Sequence, residues 1–171
     1  DLVRQAEIVA RSINVDLIKS LQADISDENT PGYKKLKNRL THLRYANPRC
    51  RFLYIMGRST NGKIFIYVDS EPSGSEDESP PGQTYDEAPP SFHEVFQTAR
   101  SDAVGPLKDR WGSWVSAAIP IVNGTTGELV AVLGMDIDAR MWKWDALSFI
   151  ALHIGLILAL IIVVGSMFLA V

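Results

Sequence analysis

A single cysteine, Cys50, occurs in the 171-residue sequence, which excludes an internal disulfide and any cysteine-based metal site. Its thiol reads as a small buried hydrophobe, with a reactive group as the alternative. Histidine is almost as scarce. His42 and His93 have no His or Cys at ligand-like spacing, so no metal is assigned. The sequence has no G-x-S-x-G elbow, no phosphate-cradling glycine loop and no D-x-[DN]-x-[DN]-G calcium loop. No nucleophile–base pair can be named, so the expectation is a protein that is not an enzyme and carries no cofactor. The formal net charge of -3 is too mild to suggest a nucleic-acid partner. Internal repeats are missing as well.

The longest absence is of charge itself. Residues 146–171, ALSFIALHIGLILALIIVVGSMFLAV, contain no Asp, Glu, Lys or Arg. About 20 apolar residues suffice to cross a bilayer, so a transmembrane helix is predicted over 146–171. Within it Ala151, Gly155 and Ala159 form two overlapping small-xxx-small steps, which permit close helix approach. His153, its only ionisable side chain, either bonds across a helix interface or snorkels to the boundary. Residues 1–145 are left as one domain, long enough to bury a core. The chain starts at Asp1 without Met and stops inside the apolar stretch. This reads as a piece of a longer protein, with no signal peptide of its own.

The charges that are present are segregated. Lys34, Lys35, Lys37, Arg39, Arg44, Arg49 and Arg51 follow one another with no acid between Tyr33 and Arg51. Asp69, Glu71, Glu76, Asp77, Glu78, Asp86 and Glu87 follow with no base between Asp69 and Pro90. The basic run reads as a solvated helix face, with anion binding as the alternative. The acidic run reads as a solvated, mobile loop rather than a cation site.

Asp1 to about Asp24 is expected to be one long helix, with Val3, Ala6, Ala10, Ile13 and Leu17 on a 3–4 stripe. Leu2, Val9 and Ile18 widen that surface. Either the helix packs on a sheet or its surplus face pairs with a second copy as a parallel coiled coil. Thr30-Pro31 starts a second helix, marked by Tyr33, Leu36, Leu40 and Leu43, which Asn47-Pro48 ends. Arg51–Gly57 and Lys63–Asp69 read as strands of a hairpin around Ser59-Thr60-Asn61-Gly62. Phe52, Tyr54 and Met56 share one face of the first; Phe65, Tyr67 and Asp69 share one face of the second. Residues 70–90 form a long loop, Ser91 caps a short helix to Arg100, and Val104–Asp109 is an irregular approach. Residues 110–139 then make the central hairpin, turning at Asn123-Gly124 and Thr126-Gly127. On its second strand Leu129, Ala131, Leu133, Met135 and Ile137 form a uniformly apolar face. The other face begins with Val130 and Val132 and ends in Asp136 and Asp138. The two hairpins are expected to share one antiparallel sheet.

The run WGSWVSAAIPIVNGTTGELVAVLGMDID and, less specifically, FIYVDSEP resemble the Cache-type, PAS-like sensor domains of bacterial and archaeal membrane receptors. That resemblance covers residues 1–145. It implies an α+β fold: a long N-terminal helix, a five-stranded antiparallel sheet and a last strand running into the membrane helix. It also implies an extracytoplasmic location, a small-molecule ligand held between the sheet and its long loop, and membership of a signalling receptor. A sensor histidine kinase is the first expectation for that receptor, and a homodimer for its assembly. The Arg-rich R-x-W-Y motif of the amino-acid-binding relatives is not present. The Asp of the G-x-D-I ending often lines the pocket in such domains; here it is Asp136. Trp114 and Ser116 share a face of the neighbouring strand, and Tyr54, Tyr67 and Asp69 are placed to close the site from the first hairpin. For the tyrosines, amphipathic core filling is the alternative. A structural dimerisation or protein-docking module without a ligand is the rival reading of the whole chain.

Overall fold

The computed structural model describes residues 2–141, 143, 147, 151–158 and 161. Residues 1–138 form one compact unit and residues 139–171 another. In the first unit the elements run α1 (Leu2–Arg11), α2 (Val15–Lys19), a 3-10 turn (Ile25–Asn29), α3 (Pro31–Ala46), β1 (Cys50–Arg58), β2 (Ile64–Asp69), α4 (Pro90–Thr98), β3 (Asp102–Asp109), β4 (Gly112–Val122) and β5 (Leu129–Asp138). The fold is α+β, with one five-stranded antiparallel sheet in the order β2-β1-β5-β4-β3. The expected hairpins do share that sheet, because β1 lies beside β5 with Tyr54 opposite Gly134 and Phe52 opposite Asp136.

Both faces of the sheet are covered, as the apolar content of its strands requires. Ala6, Ala10 and Ile13 of the N-terminal segment and Leu36 and Leu40 of α3 pack on the face made by Leu53, Ile55, Ala131, Leu133 and Met135. The opposite face, Phe52, Tyr54, Met56, Ile66 and Val132, is covered by Phe92 and Val95 of α4 and by Tyr85. Residues 70–89, called the strap below, join β2 to α4 across that second face.

Three expected elements differ. The helix expected over residues 1–24 is broken. Ser12 donates its hydroxyl back to Val9 O at 2.8 Å, and Asn14 turns out of the helix to cap α2 by accepting from Asp16 N–H at 2.9 Å. Such local polar bonds compete with helix continuation. Of the expected stripe, Ala6, Ala10 and Ile13 are buried; past the break Ile18 and Leu21 take the core positions and Leu17 is only half-buried. Second, Ser91 does not cap α4. Pro90 takes the first helical position and Pro89 the cap position without a side-chain bond. Third, the approach to the central hairpin is an edge strand, β3, paired to β4 from Asp102↔Ala118 to Asp109↔Gly112. Its register slips between Val104 and Leu107, and most of its side chains are exposed, so it shows no alternating pattern.

In the second unit, residues 151–158 are helical and exposed. The span expected over 146–171 lies largely outside the described residues. Among the described residues, no helix is long and apolar enough to cross a membrane.

Candidate functional site

Under the strap the sheet bears a cavity of about 30 Å³, room for one or two waters, lined by Phe52, Tyr54, Ile66, Asp69, Tyr85 and Trp111 among others. Asp136 lies at its floor, 3 % exposed. The residue stands two positions from the end of β5, opposite Ser116 of β4 and Phe52 of β1. Tyr54 donates its hydroxyl to Asp136 Oδ1 at 3.2 Å, and Ser116 bonds the same carboxylate. These partners are hydroxyls, and among the described residues no ion pair reaches Asp136. Burial therefore dominates and pushes the carboxyl up to about 7, against the smaller opposing pull of Ser116 and with the Asp109 charge adding to the rise.

Tyr54 reaches Asp136 because residue 134 is glycine. The Tyr54 ring lies directly over Gly134, its cross-strand neighbour, where a Cβ would overlap the ring. Burial raises the Tyr54 hydroxyl well above its usual range, so it stays a donor.

One wall is built from Asp109 at the end of β3. Its Oδ1 accepts from the backbone N–H groups of Trp111 and Gly112 at 2.9 and 3.0 Å and from Trp114 Nε1–H at 2.9 Å. Its Oδ2 accepts from the Tyr85 hydroxyl at 3.1 Å. The rings meet edge to face: Phe52 with Trp114 at 5.0 Å, Tyr85 with Trp111 at 5.9 Å and Tyr85 with Tyr54 at 6.3 Å.

The strap is tied down in two ways. Over 82–85 it hydrogen-bonds the edge of β2 through its backbone. Gly82 N–H donates to Ile66 O, Ile66 N–H to Gln83 O and Tyr85 N–H to Ile64 O, all within 2.9 Å. Over 71–78 it is held by charge. Lys37 of α3 contacts Asp69 at 2.8 Å and Glu78 at 2.6 Å; Arg51 contacts Glu71 at 3.2 Å and also Asp77; Arg44 contacts Glu71 at 3.5 Å. Arg110 pairs with Glu87 farther on. Burial alone would lower the Lys37 ammonium, but hydrogen bonds to Asp69 and Glu78 hold it above its ordinary value. Lys37, Arg44 and Arg51 of the basic run are thus paired with Asp69, Glu71, Asp77 and Glu78 of the acidic run. The expected solvated face holds for Lys34, Lys35 and Arg39, which are exposed, and is corrected for Lys37 and Arg44; the loop expected to be solvated is tethered through Glu71, Asp77 and Glu78.

Of the residues selected from sequence, Tyr54, Asp69 and Asp136 line the cavity, while Ser116 and Trp114 support it through Asp136 and Asp109. Tyr67 does not join them. Between β1 and β2, Ile55 pairs with Val68 and Met56 with Ile66, so Tyr67 is an extra residue in a bulge. Tyr67 stays with Phe65 on the helix-covered face, their ring centroids 4.9 Å apart, and the bulge turns Asp69 to the cavity side, opposite Tyr54. Tyr85, Asp109 and Trp111 line the cavity without having been selected. The one sequence signal for them was aromatic residues beside acids in otherwise polar stretches.

No protein-family model and no curated protein matches the chain. Among solved structures, it is similar to the sensory domain of the Campylobacter jejuni chemoreceptor Tlp3, at 14% identity and a TM-score of 0.43, over 81% of this chain and 60% of that one. The ligand-binding domain of the same chemoreceptor in complex with L-valine aligns at 14% identity and a TM-score of 0.42, over 81% and 59%. The same domain in complex with 4-methylisoleucine aligns at 16% and 0.45, over 81% and 57%. The chain spans less than two thirds of the length of each of these structures.

Proposed function

We propose that the chain is the extracytoplasmic, Cache-type ligand-sensing part of a membrane-bound signalling receptor, and that it acts by binding rather than catalysis. One observation carries the reading: a buried carboxylate, Asp136, held only by hydroxyls at the floor of a cavity that an ion-tethered strap closes. Burying an ionised carboxylate without a countercharge is costly, so the site is incomplete as it stands. A small molecule that supplies the missing partner completes it. The cavity holds little more than two waters, so a larger ligand displaces the arch of the strap over 71–80. Ligand binding then favours one strap arrangement over the other, by as much as its affinities for the two differ. Asp136 stands near the end of β5, which leads toward the stretch we assign to the membrane. The sequence resemblance supports a histidine kinase as the output and a homodimer as the assembly.

The test is a thermal-shift screen of small metabolites on the full chain in detergent, repeated on Asp136→Asn. A compound that raises the midpoint of the parent and not of the variant supports the reading. A screen in which no compound acts through Asp136 would instead favour a structural dimerisation or docking module.

A further inference from the structure

Resting on that reading, we infer that the ligand is a small organic cation without a carboxylate: an amine whose ammonium head meets Asp136 between aromatic rings. The first ground is the charge of the cavity. Four aspartates line it, Asp69, Asp77, Asp109 and Asp136, and among its described lining residues there is no Lys, Arg or His. Three of these acids already have donors: Asp69 has Lys37, Asp77 has Arg51, and Asp109 has Trp114, Tyr85 and two backbone N–H groups. Among the described residues neither Asp109 nor Asp136 has a cation, but Asp109 accepts four hydrogen bonds whereas Asp136 has only two hydroxyls, so Asp136 is the least satisfied acid of the cavity.

The second ground is the absence of a clamp for a carboxylate. An amino acid needs a cation or a set of free N–H groups at its acid end. Arg51 is the nearest candidate, but its guanidinium is stacked 4.1 Å from the Phe52 ring centroid and pairs with Glu71 and Asp77. Arg110 is likewise taken, stacked 4.9 Å from Trp111 and paired with Glu87. A carboxylate entering the cavity would face acids. The walls, in contrast, suit a cation. Phe52, Tyr54, Tyr85 and Trp111 surround the space, and an ammonium against aromatic rings is attracted by their electron-rich faces.

Protons compete for the same carboxylate. The groups around it are Tyr54 from β1, Ser116 from β4, Asp109 from β3, Tyr85 from the strap and Cys50 at the start of β1. Burial keeps both tyrosines and the thiol protonated, and pushes the Asp136 carboxyl up to about 7. Amine affinity should therefore fall as pH drops below about 7.

The experiment is calorimetric titration of the full chain in detergent at about pH 8, where Asp136 is ionised. Isoamylamine, leucine and isoamyl alcohol form a matched set, differing only in the carboxylate or in the charge. Tetramethylammonium is added as a cation of another shape. We expect at least one of the two cations to bind about tenfold or more tighter than leucine and the alcohol. That binding should be lost in Asp136→Asn, whose cooperative thermal unfolding, no lower in midpoint than the parent's, shows an intact fold, and should weaken at acid pH in the parent. Leucine binding as tightly as isoamylamine, through Asp136, would overturn the carboxylate-free class while leaving the sensor reading in place. Failure of both cations at millimolar concentration would overturn the cation class. The metabolite screen would then decide separately whether any ligand is sensed.

Discussion

Lys37 Nζ sits 2.8 Å from Asp69 Oδ1 and 2.6 Å from Glu78 Oε1, with side-chain exposures of 10%, 7% and 11%. One cation thus joins α3, the end of β2 and the middle of the strap. Removing one member of a buried ion cluster leaves the others unpaired, which is worse than removing all of them. Lys37→Met should therefore lower stability by roughly 3–5 kcal/mol in urea unfolding. Adding Asp69→Asn and Glu78→Gln to Lys37→Met should recover most of that loss. A single variant as stable as the parent would mean the cluster does not hold the strap.

The pH dependence at Asp136 has a definite sign. Burial disfavours the charge and pushes its carboxyl up to about 7 in the folded chain, from an ordinary value of 3.8. Between those values the folded state keeps a proton that the unfolded chain has released. The stability this contributes is complete below the unfolded value and is lost as pH rises through the folded one, on the order of 4 kcal/mol in total. Asp136→Asn keeps the shape and removes the titration. Relative to the parent it should gain stability steadily from about pH 4 to 7 and hold that gain above. Parallel unfolding profiles of parent and variant would contradict this.

Gly134→Ala should push the Tyr54 ring off β5, since the new methyl would occupy the ring's place. Overpacking of this kind costs about 1–3 kcal/mol. The Tyr54–Asp136 hydrogen bond should be lost with it, visible as a changed Asp136 titration by NMR. Gly124, in the β4–β5 turn, has open space around its Cβ position, so Gly124→Ala is the near-neutral control.

Gly82→Ala should loosen the backbone-held part of the strap. Gly82 has φ +85°, and a Cβ there would overlap the carbonyl of Ala23. We expect a loss of about 1–3 kcal/mol and faster amide exchange at Ile66 and Tyr85, whose N–H groups bond across this edge.

Much of the fold could be read from local patterns. Turn residues located both hairpins, and the Thr30-Pro31 start and Asn47-Pro48 end of α3 agree with Pro31–Ala46. Asp136 and Tyr54 were legible because alternation along uninterrupted strands fixes the face of each residue. The same rule failed for Tyr67: one inserted residue in β2 separates it from Asp69, and a bulge leaves no mark in an apolar run. The helix break at Ser12–Asn14 is a competition between side-chain and backbone hydrogen bonds, which periodicity does not register. Tyr85 and Trp111 come to the cavity through contacts distant in sequence, so no local pattern could place them.

The two outer strands differ in how their unpaired backbone is protected. The free edge of β2 is sealed by residues 82–85, whereas β3 is the sheet's last strand on the other side and carries Pro106, which has no N–H to offer, with Lys108 and Asp109 beyond it. An open strand edge is a template for another chain. The strap therefore guards against self-association as well as covering the cavity. A chain that released residues 82–85 in order to admit its ligand would expose a sticky edge at each opening. Motion confined to the charge-held arch would avoid that hazard, so under the proposed function admission of ligand and resistance to aggregation fall to different halves of the same connection.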